Sequence, residues 1–117
     1  MAKVIALLAH APGMPAGNVL HGMELTVCLT PQGQIDRAAY RVASLPWRTR
    51  RSWPHREEWW GELILVDERN WALRAERDAD EPLWNLALNV LRPGEYLTLQ
   101  RPSGEELVFR IVQVESG

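Results

Sequence analysis

Hydrophobic and polar positions alternate along most of this chain with the period of two that half-buried strands require. Residues 4–9, Val-Ile-Ala-Leu-Leu-Ala, form a continuous apolar run of strand length. They read as a buried strand, or as part of an N-terminal arm (residues 1–18) that docks elsewhere. Over residues 20–30, Met23, Leu25, Val27 and Leu29 fall on one face, and Glu24, Thr26, Cys28 and Thr30 on the other. Pro31-Gln32-Gly33-Gln34 makes a turn. Residues 36–43, with Ala38, Tyr40 and Val42 on one side, are expected to return as the second strand of an antiparallel hairpin. A further hairpin joins residues 62–66 to 71–76 around Asp67-Glu68-Arg69-Asn70.

Residues 82–91 carry a different signal. Leu83, Leu86, Ala87 and Val90 make one stripe at helical spacing, and Trp84, Leu88 and Leu91 make a second. Asp80 stands where its carboxylate can accept the N–H of Leu83, and Pro82 sits in the first turn, where no N–H is needed. The pattern predicts one short helix, apolar around most of its girth. Trp84, Leu88 and Leu91 are then either deeply buried or an interface shared between copies of the chain. Pro93-Gly94 end the segment, and residues 96–100 and 107–114 form a closing hairpin. In the last strand Phe109 and Ile111 share one face while Val112 and Val114 share the other. Either both faces are covered or a bulge resets the phase near Ile111. The resulting expectation is a single α+β domain over residues 1–117: a curved, mostly antiparallel sheet of about five to seven strands with one short helix near residues 82–91.

Composition narrows the function classes. The 117 residues suit one domain, and 46% hydrophobic with 24% charged residues excludes a disordered chain. A net charge of -2 argues against bulk nucleic-acid binding. Cys28 is the one cysteine, so no internal disulfide forms, which suits a reducing, cytoplasmic setting. No apolar run reaches the roughly 20 residues of a membrane-spanning helix. His10, His21 and His55 are scattered with no cysteine pair, so neither a metal site nor a cofactor is expected. No serine or cysteine sits in a nucleophile context, and a non-catalytic role is expected.

Residues 44–60 are where regular patterning stops and unusual composition begins. This long connection holds Trp47, Arg48, Arg50, Arg51, Trp53 and Arg56, the candidate binding residues. Tryptophan and arginine are the preferred anchors of protein interfaces. The same pair can stack bases and reach phosphates of a single strand. The plain reading is a covering loop, its tryptophans capping the sheet and its arginines paired with Glu57, Glu58 and Glu62.

Several segments bear a family resemblance. Pro82-Leu83, followed by Leu86, Ala87 and Val90, then Gly94-Glu95, Tyr96-Leu97-Thr98-Leu99, Pro102-Ser103-Gly104-Glu105 and the closing 109–114 run occur in sequence. Gly22 and Gly33 bracket Leu25-Thr26-Val27-Cys28-Leu29, and Tyr40-Arg41-Val42 follows. This order resembles the C-terminal domain of the bacterial Gre-type transcript-cleavage factors. The resemblance implies an FKBP-like fold and a docking domain with RNA polymerase as partner. The coiled-coil hairpin of those factors has no counterpart in the first 20 residues. The function expected is therefore a non-catalytic protein-binding module. The alternatives are an FKBP-like isomerase, a single-stranded nucleic-acid binder and a self-assembling subunit.

Overall fold

The computed structural model describes residues 1–54, 57–77 and 80–116. Eight strands form one closed antiparallel barrel: β1 (Ala2–His10), β2 (Asn18–Val27), β3 (Trp47–Ser52), β4 (Trp59–Leu65), β5 (Trp71–Ala75), β6 (Trp84–Ala87), β7 (Tyr96–Gln100) and β8 (Glu106–Ser116). Each strand pairs with the next in sequence, and β8 returns to β1 over almost the full length of both, from Ala2↔Ser116 to His10↔Val108. Closure leaves no free sheet edge. The α+β expectation, and the FKBP-like fold it accompanied, are thereby corrected: the molecule is almost entirely β, and the sheet closes on itself.

Three segments account for the difference. Residues 82–91 hold no helix; within them Trp84–Ala87 is strand β6, paired with β5 through Trp71↔Leu86 and with β7 through Leu86↔Leu99. The segment satisfies both periods. Trp84, Leu86 and Leu88 turn inward and Asn85, Ala87 and Asn89 outward in strict alternation, and the barrel wall needs strand pairing there. Residues 36–43, expected as a strand, hold the one described helix, α1 (Arg37–Val42). Asp36 caps it by accepting the N–H of Ala39 at 3.0 Å. The 44–60 connection contributes to the wall: β3 and the start of β4 lie within it. The bulge expected near Ile111 is present, because Ile5↔Gln113 is followed by Ala6↔Ile111 and Val112 has no partner on β1.

An eight-stranded barrel is just wide enough for its own side chains to fill. Val4, Ala6, Met23, Leu25, Leu63, Leu73, Leu97, Leu99, Phe109 and Ile111 do so, each at most 1% exposed. The outward face is charged instead. Arg50 of β3 reaches Glu24 of β2 at 2.8 Å and Glu58 at 3.0 Å, and Arg74 of β5 pairs with Glu62 of β4. Charged outside and apolar inside is the reverse of a barrel with a lipid-facing apolar band. No described helix is long and apolar enough to cross a membrane.

The two ends differ. One carries the β2–β3, β4–β5 and β6–β7 connections and is closed by α1. The Tyr40 ring stands edge-on to Trp47 and Trp71, with centroids at 5.2 and 5.0 Å, and its hydroxyl accepts the N–H of Leu65 at 3.2 Å. The Leu91 N–H donates to the Gly33 carbonyl at 2.7 Å, tying two of these connections together. Tyr40→Phe keeps the ring packing and leaves the Leu65 N–H without its partner. It is expected to lower unfolding free energy by about 1 kcal/mol, read from denaturant midpoints at an unchanged slope.

Candidate functional site

The opposite end, where the β1–β2, β3–β4, β5–β6 and β7–β8 connections meet, is open. A cavity of about 590 Å³ enters the barrel there. Among its lining residues is Arg51, held on the inner face of β3 by the alternation that also turns Trp47 and Thr49 inward. Arg51 is 4% exposed. Among the described residues no carboxylate lies within ion-pair distance of it, and its Nε has no hydrogen-bond partner.

Three indoles lie around the guanidinium. Its Cζ lies 4.2 Å from the Trp84 ring centre, 4.9 Å from Trp53 and 5.5 Å from Trp59. The negative ring faces stabilise a cation while excluding water, and so fix the head group in place. Trp59 reaches it because Gly61, two residues along the same inner face, leaves space for the indole: a Cβ at Gly61 would collide with that ring and lie 2.5 Å from the Arg74 carbonyl oxygen.

Further polar groups converge on the same space. His21, on the inner face of β2, is 7% exposed and packs against Trp53 and Phe109. Among the described residues its Nε2 and the Trp59 Nε1 have no hydrogen-bond partner, like the Arg51 Nε. Arg101, from the β7–β8 connection, lies over Trp84 at 5.3 Å, and Glu81 lines the rim. Burial, aided by the Arg51 and Arg101 charges, lowers the His21 pKa from 6.5 to about 4, so the imidazole is neutral at pH 7. Burial, then the Arg101 charge, lowers the Arg51 pKa to about 10 against the opposing pull of Glu81, and the guanidinium stays charged. Among the described residues the mouth thus holds two mutually repelling cations, Arg101 also lying 3.9 Å from Glu105, one carboxylate, Glu81, and three polar nitrogens without a hydrogen-bond partner, within an aromatic wall. A buried polar group without a partner is costly, and groups arranged in this way suit an anion that would supply the missing bonds.

The structure separates the residues marked in the sequence. Arg51 and Trp53 line the mouth. Trp47 is buried at the closed end beside Tyr40. Arg48 and Arg50 point outward, over Trp60 at 4.5 and 5.9 Å, and Arg48 pairs with Glu76 at 2.9 Å. Arg50 takes Glu24 and Glu58, so the ion pairing of the covering-loop reading is present in part. Arg56 lies outside the described residues. Of the expected interface set, Trp84 belongs to the mouth, Leu88 packs on the core and Leu91 is 1% exposed within it. His21, Trp59, Glu81 and Arg101 were not marked by sequence. Among the described residues no three His, Cys, Asp or Glu side chains converge on a point where a metal could sit. Comparison with protein-family models, with curated proteins and with solved structures finds no match for this chain.

Proposed function

We propose that this chain is a non-catalytic binding barrel that takes an anionic group of its ligand into the open mouth, against Arg51. The observation that carries this reading is a guanidinium 4% exposed, lining a cavity, with no carboxylate within ion-pair distance among the described residues. Arg101 and the unpaired nitrogens of His21 and Trp59 add donors, and the indoles supply an apolar wall for the rest of the ligand. Docking to RNA polymerase was expected from the family resemblance, and the FKBP-like fold expected with it is not the fold of this barrel. The outward Arg48 and Arg50 are engaged with glutamates.

Arg51→Met tests the reading through two opposed effects. A thioether of similar length needs no hydration, so the variant is expected to be more stable than the parent by about 1 kcal/mol, the remainder of the desolvation gain after the lost cation–π contacts. It is also expected to lose the response to benzoate, which in the parent protein raises the melting temperature with concentration and perturbs tryptophan emission. A variant that responds to benzoate like the parent would remove Arg51 from the site. Failure of the parent to respond to benzoate, phenyl phosphate or inorganic phosphate would remove the function.

A further inference from the structure

The charge and wall of the mouth together specify the class of ligand more narrowly than an anion. We infer that the site selects a singly charged carboxylate on an aromatic or comparably flat apolar body, and discriminates against phosphate monoesters. This inference rests on the anion-binding reading above.

The charge count comes first. Among the described residues, Arg51 and Arg101 contribute two positive charges to the cavity and Glu81 one negative charge, while His21 is neutral at pH 7. Arg101 also lies 3.9 Å from Glu105, so Arg51 is the lining cation with no carboxylate in ion-pair distance among the described residues, and one negative charge answers it. A phosphate monoester, with a second pKa near 6, brings close to two charges at neutral pH. It leaves the site over-neutralised and sets its extra charge against the Glu81 carboxylate inside a poorly solvated cavity. Like charges brought together in such surroundings cost far more than at a wet surface.

Geometry and wall agree with the charge. A carboxylate matches the planar fork of a guanidinium through two parallel N–H···O bonds. Three indoles hold the head of Arg51, which lines the cavity, so that fork is fixed in position. Above it the wall is Trp53, Pro54, Trp59, Trp84 and Met14, with Asn18 as the neutral polar side chain at the rim. Flat rings gain most from such a wall by offset or edge-on contact. A volume of about 590 Å³ leaves room for a one- or two-ring acid. Glu81 is the selectivity element in this arrangement: it weakens the site for every anion and weakens it most for a doubly charged one.

The test is a calorimetric panel of acetate, phenylacetate, benzoate, phenyl phosphate and inorganic phosphate against the full chain and its Arg51→Met and Glu81→Gln variants. At pH 7 phenylacetate and benzoate are expected to bind at least about tenfold more tightly than phenyl phosphate, a gap of about 1.4 kcal/mol. Acetate is expected to be weaker still, since it meets no wall. In Glu81→Gln the gap is expected to shrink to about threefold or less, with phenyl phosphate gaining more than benzoate. At pH 5, where phenyl phosphate carries close to one charge, the parent's gap is expected to narrow in the same way. Phenyl phosphate binding as tightly as benzoate to the parent at pH 7 overturns the carboxylate inference and leaves the anion site standing. Acetate matching phenylacetate overturns the aromatic part alone. Equal binding of benzoate by the parent and Arg51→Met overturns both the inference and the site.

Discussion

Gly61→Ala is expected to destabilise the barrel by about 2–3 kcal/mol and to weaken benzoate binding in the same molecule. The added methyl has two neighbours and neither yields easily. One is the Trp59 indole, which folds over Gly61 on the inner face of the wall; the other is the Arg74 carbonyl oxygen at 2.5 Å, part of the β5 backbone paired with β4. A flexible side-chain tip could move aside, but a paired strand does so only by opening the ladder. The indole must therefore leave, taking one side from the cage that holds Arg51. Chemical denaturation reads the stability loss, and the melting-temperature response to benzoate reads the site. A larger residue such as Val at the same position is expected to act in the same direction with greater effect. A Gly61→Ala protein with parental stability and parental benzoate response would show that Trp59 does not depend on the glycine.

The same alternation that identified strands in the sequence also contained the site, one step beyond where the apolar pattern ends. Met23, Leu25 and Val27 mark the inner face of β2, and two residues back on that face stands His21. Trp47 and Thr49 mark the inner face of β3, and two residues on stands Arg51. A polar side chain in phase with a buried face is a stronger pointer than arginine-rich composition. It separates Arg51 from Arg48 and Arg50, whose odd phase sends them outward to glutamates. What the pattern could not supply is which strands close on each other. Trp84 and Arg101 reach the mouth only because β5, β6, β7 and β8 complete the wall back to β1, and local sequence does not encode that pairing.

The helix over residues 82–91 shows the limit in the other direction. Its apolar residues satisfy a spacing of three to four and a spacing of two at once, so periodicity alone leaves the period undecided. Pairing with β5 and β7 decides it, since an apolar segment short of a helix's usual length gains more from two ladders than from its own turns. Residues 36–43 were ambiguous in the same way. There Asp36 caps the helix, and Ala38, Ala39 and Arg41 favour it; no neighbouring strand competes for them. Cap and propensity decide the structure where no ladder is on offer.

Acidification from pH 6.5 to 4 is expected to cost the protein about 2–3 kcal/mol through His21 alone. The imidazole titrates at 6.5 when exposed and at about 4 in the fold, lowered first by burial and then by Arg51 and Arg101. Between those values the unfolded chain binds a proton that the folded chain does not, so stability rises with pH across that window and falls as pH drops through it. Carboxylates elsewhere titrate in part of the same range, and the His21→Asn variant separates the two: its denaturation free energy is expected to depend less steeply on pH between 6.5 and 4 by this amount. Near the imidazole, Arg51 and Arg101 oppose its protonation and Glu81 at the rim is the one described carboxylate lining the cavity. A bound carboxylate adds a second negative charge beside the ring. The parent saturated with benzoate at pH 5.5, where the ligand is still ionised, is therefore expected to take up a fraction of a proton on binding, seen as a binding heat that changes with buffer ionisation enthalpy, and His21→Asn to take up less. Identical pH slopes for parent and variant would place the imidazole outside the low-polarity mouth that the rest of the site requires.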